Sequence, residues 1–555
     1  MTTICPFCKY GCELSIQEMN QGNYKLHQIE YLKSSGINQG RLCPRGNSAK
    51  ILLSHPKRLT YPLFNNKILK WSDIIQDIQK LIQNSSPENI AITYDCNNTL
   101  EEFSDIYNFA HALKTENISC VYFHPEQFFN YAVSEIKQID IKDLNNSKFL
   151  LVIGDIFAKS PVISKHILDI KYSDRNNKIF YFDVIKSKLA GFADKFIWLN
   201  PNTEPLVLLA LILESSRAAK NIISNKYYNE LTKLLPTIYE FLNVKQKDIQ
   251  DICQTLLNNP HSLVLVATDF GKTKDPLLLS LLSQLFASIT PSKKYCSLAL
   301  ASIPLSNIKF STILNKIRDN KIKILIHFGE EFPYYYPQLH QFLINLDVFI
   351  YTSMLRSNRD LLAKRNYILP VTSTIEKQGT INTLWSKTTI KPVIAPIDGA
   401  KSVSEIITLL HPHLNRNAKV NLNYKSPIDI ERLINRCIEY CKNFSINTNS
   451  DDFHLIGEES AYNYRGYFND CSKEVKINPI TAKKINIKNN DRILLISNNC
   501  QKVFITKIVN YLPLDTVSVS TDLPDNRLLF PIQFDNLTNE IMISSSLVKI
   551  QKEKV

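Results

Sequence analysis

Four cysteines stand at the start of the chain in the order Cys5-x2-Cys8-x3-Cys12-x30-Cys43, and nothing else in the sequence constrains the fold as much. The first three crowd into Cys5-Pro6-Phe7-Cys8-Lys9-Tyr10-Gly11-Cys12, while the fourth stands apart in Gly40-Arg41-Leu42-Cys43-Pro44-Arg45-Gly46. A three-plus-one set of soft thiolates suits a 4Fe-4S cluster, in which each iron takes one sulfur ligand. Zinc also takes four thiolates, but usually from two short Cys-x2-4-Cys knuckles. Disulfides are not expected. Met1-Thr2-Thr3-Ile4 leads directly into the first cysteine, with no basic or apolar leader, so a reducing, cytoplasmic setting is expected. A chain that holds such a cluster moves electrons.

At 555 residues the chain has room for three or four domains. Its 44% hydrophobic and 21% charged residues are ordinary for a globular protein. The longest apolar run, Pro205 to Leu213, is too short to span a bilayer, so no membrane span is expected. The net charge of +13 comes from lysines spread along the whole chain. Without a dense basic run interleaved with aromatics, it reads as a solvated basic surface, not a nucleic-acid interface. Only 13 glycines occur, where average usage would give about 39. Few places remain where a backbone can turn tightly against a phosphate.

Residues 1–60 are turn-rich and read as a small domain organised by its cysteines. From Ile90-Ala91-Ile92-Thr93-Tyr94 onward, short apolar strands alternate with amphipathic helices. Cys120 to Phe123, Phe149 to Ile153, Ile179 to Asp183, Ser262 to Ala267, Ile322 to Phe328 and Val348 to Tyr351 are further strands. This rhythm predicts parallel sheets covered by helices, with ligands at the strands' C-terminal ends. Gly154-Asp155, Asp183 and Gly329-Glu330 fall there. After Phe453, short strands separated by turns predict a compact β domain, a barrel.

Several stretches together resemble the molybdopterin oxidoreductase family, which includes formate dehydrogenases and nitrate and polysulfide reductases. Cys5 to Cys43 is similar to that family's N-terminal cluster motif, and His55 to Leu63 to the stretch that follows it. Asn98-Thr99-Leu100-Glu101-Glu102 is similar to a segment opening a helix in the next domain. Val152-Ile153-Gly154-Asp155 resembles the "GSN" loop, Asp183 stands at the "DPR" motif, and Asn202-Thr203-Glu204 at "GTD". Leu369-Pro370 through Glu376, Gly379, Thr380 and Asn382 resembles "LP…EKEGTxxN". Asn478 to Ile493 is similar to the start of the family's C-terminal pterin-dinucleotide barrel.

The resemblance implies an α/β fold in five parts. They are a small N-terminal iron–sulfur domain (1–60), two interleaved parallel-sheet α/β domains (61–130 with 371–415, and 131–370), a linker (416–450) and a C-terminal β-barrel of double-psi type (451–555). It implies a 4Fe-4S cluster on Cys5, Cys8, Cys12 and Cys43, and molybdopterin guanine dinucleotide carrying Mo or W. Gly154, Asp155, Asp183, Glu204, Gly329, Glu376, Gly379, Thr380 and Asn382 would then bind the cofactor. A carboxylate can accept two parallel hydrogen bonds from a guanine edge, which suits Asp183 and Glu204. Asp183 is also explained as a helix-capping acid at a strand end. Arg45 stands where many members place a lysine between cluster and pterin. Cys120 and His124 are the candidates nearest the metal-ligand loop. Phe123 and its neighbours fall where the ligand belongs, so Cys120 would serve only with a shifted loop, and a structural thiol is its other reading.

Two functions follow. One is a formate dehydrogenase-like enzyme passing electrons between a Mo/W-pterin site and the cluster. The other is a molybdenum-free electron-transfer or structural subunit, similar to the large iron–sulfur subunit of respiratory complex I. Either implies a redox partner subunit that is ferredoxin-like, NADH- or quinone-linked. No Gly-x-Ser-x-Gly, P-loop or Gly-x-Gly-x-x-Gly supports a hydrolase, kinase or Rossmann nicotinamide enzyme.

Overall fold

The computed structural model describes the chain except residues 1, 22–23, 34, 122–130, 133–135, 243, 268, 299–307, 330–331, 333–335, 357–361, 416–425, 445–450, 464–472, 499 and 554–555. The chain divides into two compact units, Met1–Tyr122 with Leu300–Tyr424 and Phe534–Ile541, and Phe123–Ala299 with Lys425–Gln533 and Met542–Val555.

The first unit opens with a three-stranded antiparallel sheet, Thr3–Ile4, Glu13–Gln21 and Tyr24–Glu30, followed by the short helix Pro44–Asn47. Its main sheet has seven strands in the order Lys67–Ile68, Leu63–Phe64, Arg365–Pro370, Val348–Ser353, Ile324–Phe328, Ile90–Tyr94, Ile118–Cys120. The last five run parallel. Ile90–Tyr94 and Ile324–Phe328 are buried at every residue. A parallel strand covered by helices on both faces is largely apolar; the exceptions, Thr93 and His327, bond each other across the two strands at 3.0 Å. After Ile90–Tyr94, helix Leu100–Ala112 starts in a capping box, Thr99 with Glu102.

The second unit holds a six-stranded parallel sheet in the order Lys195–Trp198, Lys178–Asp183, Phe149–Ile153, Ser262–Val266, Lys294–Ser297, Lys137–Gln138. The apolar run expected to be too short for a membrane is part of helix Glu204–Glu214, buried from Glu204 to Leu213. It packs on the equally apolar helix Pro276–Ile289. Among the described residues no helix is long and apolar enough to cross a membrane. The same unit contains a closed barrel, Asp452–Glu458, Thr516–Ser520, Glu474–Ile477, Gln501–Ile508, Arg492–Ile496, Ser546–Lys552. Two of its neighbour pairs are parallel and the others antiparallel.

Two expected boundaries move. Strands between 324 and 370 belong with Ile90–Tyr94, not with 131–323: Ile324 to Phe328 pairs residue for residue with Ile90 to Tyr94. The chain therefore returns to the first unit near residue 300, not 370. The span 416–450 is also more than a linker. Helix Ile430–Lys442 buries Leu433, Ile434, Cys437, Ile438 and Cys441. Arg436 holds Asp275 with two bonds of 2.8 Å, and Tyr440 donates to the Asn202 carbonyl at 2.6 Å. Cys437 and Cys441 are core thiols, pushed up in pKa by burial.

Candidate functional site

The cysteine loop is shaped locally by few contacts. The Cys5 N–H donates to the Cys12 carbonyl at 2.8 Å, closing the loop that carries the first three thiols. Gly11 turns the chain at φ +91°, and a Cβ there would press on Thr383 at 3.1 Å. Cys43 caps helix Pro44–Asn47, its sulfur accepting the Gly46 N–H at 3.4 Å. Cys5 and Cys12 are buried, and Cys8 and Cys43 are half-buried.

The sulfurs share one electrostatic environment. Burial, then the neighbouring cysteines, hold Cys5 and Cys12 well above the ordinary thiol range, and burial and Cys8 raise Cys43. The buried Arg45 opposes this at both Cys5 and Cys43. A group of metals that replaces the protons would supply the positive charge this set lacks. Among the described residues no three Cys, His, Asp or Glu side chains are gathered tightly enough for a single ion. Four thiols in one electrostatic environment are the donor set a 4Fe-4S cluster takes, one sulfur to each iron.

The hairpin Gly379–Asn382 with Lys387–Ile390 forms a shelf beneath this loop. The Leu384 N–H donates to the Lys9 carbonyl at 2.7 Å. Trp385 meets Tyr10 edge-on at 5.5 Å, and Ile4 packs with Ile381 and Ile390. Asn382 thus lies in the cluster's support. No sequence pattern marks Thr383 or Trp385 as support, because support of this kind depends on contacts across more than 370 residues.

The other expected residues of the first unit are held by protein partners. Glu376 accepts four donors: Arg58 at 2.6 Å, the Ser373 N–H and hydroxyl at 2.8 Å each, and the Ile397 N–H at 3.0 Å. Three of these fall on Oε2 and one on Oε1, so the carboxylate is held in place by its own chain. Thr380 donates its N–H and hydroxyl to Glu101 at 2.7 and 2.8 Å. Gly379, at φ +144°, leaves room for Glu101 and Thr99. Next to it, Lys377 pairs with Glu102 at 2.7 Å, with both side chains buried. Gly329 has no space for a Cβ, because the Asp95 carboxylate occupies it. Cys120 ends an edge strand beside Tyr94 and is half-buried. His124 and Glu330 lie outside the described residues.

In the second unit Asp155, Asp183 and Glu204 gather at the strand ends around a lysine that the sequence did not single out. Lys272 Nζ lies 2.8 Å from Asp183, the two side chains being 2% and 1% exposed. Burial alone would lower the Lys272 pKa, but Asp183 and Asp269 outweigh it and the lysine is held charged. Asp183 also accepts Tyr181 Oη at 2.6 Å and the Ile185 N–H at 3.1 Å. Asp155 caps helix Ile156–Lys159 through the Phe157 and Ala158 N–H groups, and burial, then Asp183, raises its pKa. Glu204 is pushed up to about 8 by burial, and its Oε2 has no hydrogen-bond partner among the described residues. Gly154, at φ +82°, lets the Ala267 carbonyl approach, and a Cβ there would collide with it.

Residues 1–53 match the model for the molybdopterin oxidoreductase Fe4S4 domain. The chain is 25% identical over 248 residues to the F420-dependent formate dehydrogenase subunit alpha of Methanocaldococcus jannaschii, covering 41% of this chain and 35% of that one. It is 26% identical over 249 residues to the F420-dependent formate dehydrogenase 2 subunit alpha of Methanococcus maripaludis, covering 41% and 36%. The matched region thus spans about a third of these relatives' length. Acetylene hydratase from Pelobacter acetylenicus shares the fold, with a TM-score of 0.74 over 100% of both chains at 13% identity.

Proposed function

We propose that this chain, whose residues 1–53 match the molybdopterin oxidoreductase Fe4S4 domain, is a member of that family and carries electrons through an N-terminal 4Fe-4S cluster to or from a partner subunit. The observation that supports this reading is the quartet Cys5, Cys8, Cys12 and Cys43, which interact with one another and with the buried Arg45. The cubane supplies a one-electron site when bound. The chain's part is to tune and shield it. Arg45 favours the reduced state by opposing the added negative charge, and the Gly46 N–H on Cys43 Sγ acts in the same direction. The Tyr10–Trp385 pair closes one side of the loop to water.

The relatives' names add a second reading, formate oxidation at a Mo/W-pterin site feeding the cluster. Their designation as alpha subunits supports a multi-subunit assembly, in which the partner subunit exchanges electrons with the cluster. Glu376, held by four donors of its own chain, and the enclosed Asp183 weigh against the pterin reading.

Metal and pterin analysis of anaerobically purified protein separates the two. Iron and sulfide without Mo or W supports the electron carrier, and stoichiometric Mo or W supports catalysis. Cys8→Ser or Cys43→Ser should bleach the cluster's broad visible absorbance. An unchanged spectrum would remove both residues as ligands.

A further inference from the structure

We infer that the strand-end pocket of the second unit is closed to a guanine nucleotide by the chain's own loop, Asp269–Asp275, with Lys272 taking the position at Asp183 that a guanine edge would need. A guanine edge requires a carboxylate with both oxygens open along one side. Asp183 is 1% exposed; Tyr181 Oη donates to its Oδ2 and the Ile185 N–H to its Oδ1, and Lys272 Nζ stands 2.8 Å from Oδ1 as an ion pair. Glu204, the other acid suited to guanine, is 4% exposed.

The loop that delivers Lys272 is fastened along its length. Gly271 lies against the Phe530 ring, where a side chain would not fit, and Gly457 lies against the Phe270 carbonyl. The Gly457 N–H donates to the Gly271 carbonyl at 3.3 Å, and the Ser545 N–H to the Thr273 carbonyl at 3.0 Å. Asn202 Oδ1 receives the Lys274 N–H at 2.8 Å and the Ser545 hydroxyl at 2.7 Å. The Arg527 guanidinium, fully buried, sits 4.0 Å over the Phe270 ring. Beside Gly154, the Ala267 carbonyl fills the space a side chain would need, so the two strand ends are in direct backbone contact. Admitting a nucleotide would strip Asp155, Asp183 and Asp269 of their shared cation, at a cost far above that of an exposed pair.

The full chain, purified from a host that makes the guanine dinucleotide, is compared as wild type, Asp183→Asn, Lys272→Met and the double variant. Guanine released by acid and the melting temperature are measured on each. Asp183→Asn should leave the guanine content at the wild-type value. Lys272→Met should lower the melting temperature by about 5–10 °C, and adding Asp183→Asn should restore part of that loss. Guanine content that falls in folded Asp183→Asn protein, or melting shifts that simply add, would overturn the inference. Should Lys272→Met fail to fold, GDP titration of the wild type decides instead: no rise in melting temperature supports closure, and a concentration-dependent rise refutes it. Cluster absorbance, read on the same samples, bears on electron transfer alone, so failure of one reading is distinguishable from failure of the other.

Discussion

The first unit gives Glu376 and Glu102 a cation each, Arg58 at 2.6 Å and Lys377 at 2.7 Å, whereas in the second unit Lys272 faces Asp155, Asp183 and Asp269 together. The pairs of the first unit join residues 318 and 275 positions apart. They tie the segment after the main sheet back to its beginning. The cluster of the second unit joins strand ends and one loop, and it carries more acid than base. A surplus of buried acid is relieved by keeping protons: burial raises Asp155, Glu204 and Asp269. The two regions should therefore respond differently to loss of a cation and to pH.

The largest contrast comes from removing a private cation. Arg58→Met leaves the buried Glu376 without its cation, with only the Ser373 and Ile397 donors remaining. The first unit should lose about 3–5 kcal/mol, measured by denaturant unfolding with a probe in that unit. Arg58→Met with Glu376→Gln should recover much of it. A loss below about 1 kcal/mol, the range of exposed pairs, would make the pair an incidental contact and erase the distinction drawn between the units.

The second contrast is in pH. Glu204 is raised to about 8, chiefly by burial, against an unfolded value of about 4.3. The folded state then binds the extra proton across that window, so the second unit loses stability as pH rises through it. The slope is about 1.4 kcal/mol per pH unit, or about 3 kcal/mol between pH 5 and 7. In the first unit, His327 is lowered to about 4 by burial while Asp95 opposes the shift, against about 6.5 unfolded. There the unfolded state binds the extra proton, and stability is lost as pH falls from about 6.5 to about 4, by about 2 kcal/mol between pH 6 and 4.5. Hydrogen exchange followed separately in each unit should show the two trends with opposite sign. Glu204→Gln should flatten the first trend and His327→Leu the second. Either variant retaining the wild-type slope would assign that slope to another group.

Much of this was legible in the sequence, for definite reasons. Thiol spacing is local, so the cysteine quartet can be read without the fold. Parallel strands covered on both faces are largely apolar, so Phe149–Ile153 and Ile324–Phe328, the latter broken only by His327, stand out as runs. Which sheet a strand joins is a different matter. Ile324–Phe328 pairs with a strand more than 230 residues earlier, and no periodicity encodes that choice. The same limit hid the cations. Lys272, Lys377 and Arg58 stand among 65 Lys and Arg residues and look like surface charge until the fold brings carboxylates to them. The motif acids were found by resemblance, but resemblance says nothing about a lysine that has come to occupy their oxygens.

The smallest expected effect concerns Cys120, the thiol nearest the loop where a metal ligand would be sought. It ends the edge strand Ile118–Cys120 opposite Tyr94, and its field adds to burial in raising Tyr107 to about 12. A half-buried thiol in such a place acts as a small packing group. Cys120→Ala should therefore cost about 1 kcal/mol or less and leave iron content and visible absorbance unchanged. Those readouts would not detect a second metal, so Mo and W are measured on the same protein. If wild type binds either metal and Cys120→Ala loses it, the edge of the first sheet would be a metal site after all. The contrast between the units would then shift from how each buries charge to which of them serves the cofactor.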